Sequence, residues 1–77
     1  MRDLYIDCFE ITMASGNKYY LKKEPEDNID DLIKEHILKC NYCEIQDIKT
    51  KKNICIRTQL IETICEVILD TETKEVL

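Results

Sequence analysis

The sequence predicts an α+β fold, in which a single helix lies among antiparallel strands in the order ββαββββ. Short segments rich in β-branched and aromatic residues, bounded by turn-forming residues, occur on both sides of one segment with helical periodicity. Strands grouped around a lone helix are typical of an antiparallel sheet that curls around the apolar face of that helix. With 77 residues, the chain is predicted to form one domain over residues 1–77.

The first two strands are predicted to form a hairpin over residues 4–23. Apolar positions alternate from Leu4 to Cys8 and then shift by one residue to Phe9, which predicts a β-bulge or a bend. The segment ASGN supplies a turn around Gly16, and KYYLKK returns as the second strand.

The segment EDNIDDLIKEHILKC is the predicted helix. Asn28 is a suitable N-cap, and Asp30 and Asp31 place negative charge in the first turn, where the helix dipole favours it. Asn41 is a residue type that often adopts the left-handed conformation just beyond a helix end. The residues of the expected core stripe are Ile29, Leu32, Ile33, His36, Ile37 and Cys40.

Further strands are predicted after the helix. YCEIQDIK and ICIRT are separated by the polar turn TKKN. QLIETICEVILD fits a helix nearly as well as a strand, but its β-branched residues and the hairpin-like tail ILDTETKEVL favour a strand. We expect residues 58–61 to form a helical turn on the way into this strand.

The charge limits the classes of partner. The formal net charge is -5 and the isoelectric point is near 4.8, which disfavours nucleic acids and anionic membranes and favours a protein partner with a basic surface. No segment is apolar enough for a signal peptide or a membrane span, so we expect a cytoplasmic protein with reduced thiols.

The stretch KCNYC, residues 39–43, raises the question of a metal site. The candidate zinc ligands are His36, Cys40 and Cys43, with Cys55 or Cys65 as a fourth. A zinc ribbon usually has a second close pair of cysteines, which the sequence lacks. We therefore predict that no metal is bound, that Cys40 fills a gap in the core and that the other cysteines are buried hydrophobes. A redox CxxC pair is typical of a helix N-terminus, whereas this one follows a predicted C-terminus.

The sequence offers no familiar catalytic arrangement. Its one histidine has no nearby serine in a nucleophile elbow, and its single glycine cannot form a phosphate-binding loop. We predict a protein that is not an enzyme and that needs no cofactor.

Two segments carry a resemblance to a known group of proteins. NICIRTQLIETICEV resembles the C-terminal part of small β-rich proteins of Gram-positive phages and prophages, and MASGNKYYLKK, before one acidic helix, resembles their N-terminal half. These proteins share no catalytic residues, and some bind and block host proteins, including defence nucleases. The resemblance implies a binding role rather than a reaction.

We therefore predict a small acidic protein-binding module, of phage or mobile-element type, that inhibits a host protein by occupying its basic nucleic-acid-binding site. Carboxylates would mimic phosphates or pair with Lys and Arg, and an exposed tyrosine would act as an anchor. The predicted contact residues are Glu24, Glu26, Asp27, Asp30, Asp31, Glu35, Tyr19 and Tyr20.

Two other functions stay open. Lysine-rich hairpins with tyrosines nearby predict a small nucleic-acid-associated regulator. The lysines concerned are Lys18, Lys22, Lys23, Lys49, Lys51 and Lys52. The zinc ligands named above predict instead a zinc-stabilised interaction domain.

We also expect a homodimer. A small sheet leaves two edges, and the final arm KEVL is too short to cover one. Apolar side chains at Leu38, Leu60, Ile64 and Ile68 are expected on the outside of a monomer. A twofold dimer would bury both the edge and these side chains.

Overall fold

The computed structural model describes residues 4–77 and has five strands and one helix within them. The strands are β1 (Tyr5–Met13), β2 (Lys18–Lys22), β3 (Tyr42–Gln46), β4 (Asn53–Arg57) and β5 (Ile61–Asp70). The helix comprises an α-helical turn, Ile29–Leu32, and a π-helical turn, Ile33–Ile37. The α+β class and the order ββαββββ are confirmed, and the last arm is reduced to a single bridge between Leu69 and Val76.

The strands form two antiparallel sheets. One has the order β2-β1-β5, and the other pairs β3 with β4. The core between the sheets includes Ile11 and Met13 from β1, Ile45 from β3 and Ile56 from β4. The helix contributes no fully buried residue. The buried apolar side chains therefore cluster between the sheets, and the expectation that they would surround the helix is wrong.

Strand β1 pairs with β5 in one continuous register from Tyr5 to Thr12, and the register shifts between Thr12 and Met13. The predicted bulge near Phe9 is therefore wrong in position. Cys8 and Phe9 point to opposite faces of the sheet, yet both are buried. The shift in apolar pattern arises because β1 is covered on both faces here.

The first hairpin is confirmed. Gly16 has a φ of 94°, in the left-handed region, and its N–H donates to the Met13 carbonyl at 2.9 Å. The Met13 N–H donates to the Asn17 carbonyl at 2.8 Å, which closes the turn.

The helix is shorter than predicted. Asn28 is the N-cap, as expected, but the helix ends at Ile37, and the Leu38 N–H donates to the Ile33 carbonyl five residues back at 2.8 Å. This wider turn ends the α-helical spacing, so Cys40 lies beyond the helix and is exposed. The predicted core position of Cys40 is wrong. Asn41 does not have the positive φ expected of it.

The ambiguous segment is a strand. Thr58–Leu60 forms a 3-10 turn that leads into β5, as predicted. Leu38, Leu60 and Ile68 are exposed, as expected, with 74%, 49% and 44% of their surfaces accessible. Ile64 instead is half-buried and packs against the core.

The two sheets are joined along one edge by what we call the sheet junction, formed by Tyr20, Asp47 and Ile48. The Tyr20 N–H donates to Asp47 Oδ1 at 2.9 Å, and the Ile48 N–H donates to the Tyr20 carbonyl at 2.8 Å. The Thr50 hydroxyl donates to Asp47 Oδ2 at 2.9 Å, so both oxygens of this buried carboxylate are bonded. The junction covers the edge of β2 at Tyr20.

Candidate functional site

A groove of about 390 Å³ lies between the helix and the sheets. Phe9 on β1, Leu21 on β2, Leu32 on the helix and Ile45 on β3 form its apolar lining. Phe9 and Ile45 are buried and the two leucines are half-buried, so the floor of the groove is the outer surface of the core. Such a floor can bury the aliphatic stem of a lysine or arginine side chain.

Carboxylates surround this groove and form what we call the acidic rim. Asp27, Asp31 and Glu35 follow one another at four-residue intervals, and Glu44 on β3 joins them. Lys22 is the one lysine among the described residues that line the groove. The carboxylates of the rim carry like charges, which repel one another. A cation bound at the rim would remove that repulsion.

Hydrogen bonds between residues close in sequence hold the first part of the rim in place. The Glu24 N–H donates to Asp27 Oδ2 at 3.0 Å. The Asp31 N–H donates to Asn28 Oδ1 at 2.9 Å, and the Asn28 side-chain amide donates to Asp31 Oδ2 at 3.0 Å. These bonds orient the two exposed carboxylates, and the second oxygen of each can still accept a hydrogen bond.

The structure brings three of the six predicted carboxylates together at the groove, namely Asp27, Asp31 and Glu35. Glu35 has an exposed ion pair with Lys39 at 3.6 Å. Within residues 4–77, Asp27, Asp31 and Glu44 form no ion pair. Three negative charges at the rim are therefore not neutralised by the described part of the chain.

The other three predicted carboxylates lie outside the groove. Glu24 is exposed and its Oε1 lies 3.5 Å from Lys22 Nζ. Asp30 lines a separate depression together with Lys34. Glu26 is exposed in the turn that precedes the helix. The sequence therefore identified the acidic segment but could not show which of its side chains share one surface.

The two tyrosines proposed as anchors are not exposed. Tyr20 has only 4% of its surface accessible, and Tyr19 is half-buried against the core. The Tyr20 hydroxyl donates to Glu10 Oε2 at 2.9 Å, and Lys49 Nζ lies 4.7 Å from the centre of its ring. The expectation of an exposed Tyr20 is wrong because its ring and hydroxyl belong to the packing beside the sheet junction.

Tyr20 and Glu10 change each other's acidity. Burial and the hydrogen bond to Glu10 raise the pKa of Tyr20 to about 12. Burial acts to raise the pKa of Glu10, but hydrogen bonds from Tyr20 and Lys18 and the Lys18 charge outweigh it, and the pKa is lowered. Lys18 Nζ lies 3.3 Å from Glu10 Oε1. This group therefore holds one ionised carboxylate on the outer face of the three-stranded sheet.

The lysines of the first hairpin are engaged within the chain, whereas Lys51 and Lys52 of the second hairpin are exposed and have no ion pair in residues 4–77. Lys18 pairs with Glu10, and Lys22 with Glu24. Lys23 Nζ lies 3.7 Å from a Glu66 carboxylate oxygen. With Tyr20 buried, the stacking surface that a single-strand platform would need is missing from the expected place.

The cysteines are distributed over the molecule. Cys8 is buried, as predicted, but Cys55 and Cys65 are exposed, in contrast to the prediction. Burial, with smaller contributions from Cys40 and Cys55, raises the pKa of the half-buried Cys43 thiol. In residues 4–77, His, Cys, Asp and Glu side chains form no group of three that could hold a metal ion.

Two residues of the site were not identified from the sequence. Glu44 completes the acidic rim from β3, and only the folding of this strand beside the helix places it there. Asp47 forms the sheet junction. Its signal in the sequence is an aspartate three residues before Thr50, a spacing that suits a hydrogen-bonded turn.

Across residues 4–77, none of the helical structure is both long and apolar enough to span a lipid bilayer. No protein-family model, curated protein or solved structure matches this chain.

Proposed function

We propose that this protein is a non-enzymatic binding module that inhibits a larger protein by occupying a basic site on it with its acidic rim. The proposed target is a host protein whose basic site binds nucleic acid, such as a defence nuclease, and the proposed origin is a Gram-positive phage or mobile element. The observation that carries the proposal is the groove, because it combines an apolar floor with carboxylates at its rim.

This combination suits a lysine or arginine side chain of the partner. The aliphatic stem would pack against Phe9 and Leu32, and the charged group would meet Asp27 and Asp31, which lack an ion pair in the described chain. Neighbouring cations of the partner would pair with Glu35 and the rest of the rim. Charge complementarity of this kind sets the specificity and the rate of association.

The chemistry of the groove supports binding rather than catalysis. His36 and Cys43 both line it, but they form no hydrogen bond with each other. The raised pKa of Cys43 disfavours the thiolate, which is the nucleophilic form.

The test uses two charge-reversal triples with the same change in net charge. The rim triple carries Asp27→Lys, Asp31→Lys and Glu35→Lys, and the control triple carries Glu62→Lys, Glu72→Lys and Glu75→Lys at exposed positions elsewhere. Tagged wild-type chain is used to isolate a partner from the lysate of a low-GC bacterium. The purified partner is then titrated with all three proteins at low and moderate salt.

We expect the rim triple to lose about 3 kcal/mol of binding free energy, roughly 100-fold in Kd, and the control to lose much less. Duplex DNA should compete with the wild-type chain for the partner. If the rim triple is folded by circular dichroism and binds as tightly as the control, the proposed surface is wrong. If binding is lost but DNA does not compete, the basic site is not the one that holds nucleic acid.

A further inference from the structure

The edges of the two sheets differ in what covers them. The edge of β2 is closed at Tyr20 by the sheet junction, and β3 lies beside β2 and the helix. The C-terminal end of β5 is covered by the tail, since the Leu77 N–H donates to the Ile68 carbonyl at 2.9 Å and the Asp70 N–H donates to the Glu75 carbonyl at 2.9 Å. Within residues 4–77, no strand pairs with the outer edge of β4 or with the first half of β5 on the side away from β1.

The direction of the β4 backbone groups follows from two hydrogen bonds. The Thr58 N–H donates to the Asn41 carbonyl, and the Lys52 carbonyl accepts from the Asp47 N–H, so residues 52 and 58 face β3. Backbone groups in an antiparallel pair alternate in direction. Cys55 and Arg57, with Asn53, therefore direct their N–H and C=O groups away from β3. Within residues 4–77 these groups have no backbone partner.

We propose that two copies of this chain associate by antiparallel pairing of β4 with β4, around a twofold axis at Cys55. In this register all five residues of the strand are paired. Cys55 lies opposite Cys55 of the second copy, and Asn53 lies opposite Arg57. On the inner face, Ile54 lies opposite Ile56 twice. The register places no like charges opposite one another. It joins the β3-β4 sheets of the two copies into one four-stranded sheet.

The surroundings of this edge are largely apolar. A groove of about 310 Å³ runs along β4, and its lining includes Met13, Tyr19, Ile56 and Leu60 together with the polar residues Ser15, Asn17 and Arg57. Leu60 and Tyr42 at this end have 49% and 60% of their surfaces exposed. No carboxylate of the described chain lines this groove. A second copy would therefore cover apolar surface as well as unpaired backbone groups, which a domain of this size benefits from.

The corresponding pairing through β5 is unfavourable. The Ile68 carbonyl faces outward, so alternation directs the backbone groups of Glu66 and Ile64 outward too, up to the register shift at Glu62, which has no partner on β1. A twofold axis at Ile64, the middle of the uncovered stretch, would place Glu62 opposite Glu66 twice. Like charges directly opposite each other destabilise a sheet. This contrast favours β4 over β5 as the edge that a second copy covers.

The first test is cross-linking of the reduced protein with a short bismaleimide at micromolar concentration. We expect a covalent dimer that is lost in Cys55→Ser and retained in Cys40→Ser and Cys65→Ser, which remove the other two exposed cysteines. A dimer that survives Cys55→Ser and disappears in Cys65→Ser would place the interface on β5 and overturn the proposal.

The second test measures mass by light scattering over a dilution series. Cys55→Pro removes a backbone donor that faces away from β3, so the hairpin of β3 and β4 can persist. Glu66→Pro makes the same change at the uncovered edge of β5, in the regular part of its register. Wild type and Glu66→Pro should approach twice the mass of the 9.1 kDa chain at high concentration, and Cys55→Pro should stay at that of one chain. A wild type that remains monomeric to high micromolar concentration, or a Cys55→Pro variant that dimerises like wild type, would refute the proposal.

Discussion

The sheet junction and the acidic rim use the same chemical group in opposite ways. At the junction, Asp47 is buried and accepts hydrogen bonds from Tyr20 and Thr50. At the rim, Asp27 and Asp31 are exposed and have no ion pair in residues 4–77. A buried carboxylate with all its partners fixes one arrangement of the sheets, whereas an exposed one is available to another molecule. The comparison separates residues that determine the fold from those that can be changed without unfolding it.

Among changes in stability, the largest decrease in the free energy of unfolding is expected for Asp47→Ala. The substitution leaves the buried Tyr20 N–H without its acceptor, which should lower the free energy of unfolding by about 2 kcal/mol. Asp70→Ala is the matched control, since Asp70 Oδ1 accepts from the Glu72 N–H at 2.8 Å in an exposed turn where water can replace it. The control should cost less than about 1 kcal/mol. Equal urea midpoints for the two variants would mean that the junction does not hold the sheets together.

A smaller decrease in the free energy of unfolding, about 1.5 kcal/mol, is expected for Tyr20→Phe, which removes the hydrogen bond from the hydroxyl to the Glu10 carboxylate. The decrease is smaller because this carboxylate keeps its contact with Lys18. The pKa of Tyr20 is raised to about 12 in the folded state from an ordinary value of 10. A raised pKa contributes stability that is fully present below pH 10 and is lost as the pH rises through 12.

The pKa of Glu10 is lowered, so its contribution is present above its ordinary value of 4.5 and is lost as the pH falls through the folded value. Tyr20→Phe should therefore lie closest to wild type at strongly alkaline pH and differ most near neutrality. Thermal unfolding from pH 7 to 12 measures this difference. Tyr5→Phe, at an exposed position away from the β4 edge, should follow wild type throughout, and a Tyr20→Phe difference independent of pH would contradict the assignment.

The strands of the two sheets show where sequence patterns are informative. The fold class and β5 were predictable because β-branched residues and turn signals agree with the final structure. Gly16 fixed the first hairpin for the same reason, since its positive φ suits glycine. Burial was less predictable. Cys55 and Cys65 lie in apolar strands, but their side chains point to the outer faces of sheets that are covered on one side.

The end of the helix and the members of the acidic rim were predicted less well, for a physical reason. Asn28 and the acidic first turn were correct, but a π-helical turn after Leu32 changed the spacing on which the position of Cys40 depended. Local patterns do not reveal such a turn. Nor do they reveal that Glu44, distant in sequence, joins the acidic rim. The membership of a surface depends on how the strands fold beside the helix, which one sequence does not specify in advance.

The smallest effect is expected for Asn28→Ala, and it should be confined to the helix. Asn28 Oδ1 accepts from the Asp31 N–H at 2.9 Å, and loss of an N-cap costs about 1 kcal/mol. Because no helix residue is fully buried, this loss should open the helix without unfolding the sheets. Amides from Leu32 to Leu38 should exchange roughly fivefold faster with deuterium, while amides of β1 keep their wild-type rates. Asn28→Ser, which retains a capping oxygen, should restore slow exchange. If β1 also exchanges faster, the helix and the sheets unfold as one unit, and the rim could not be altered independently of the junction.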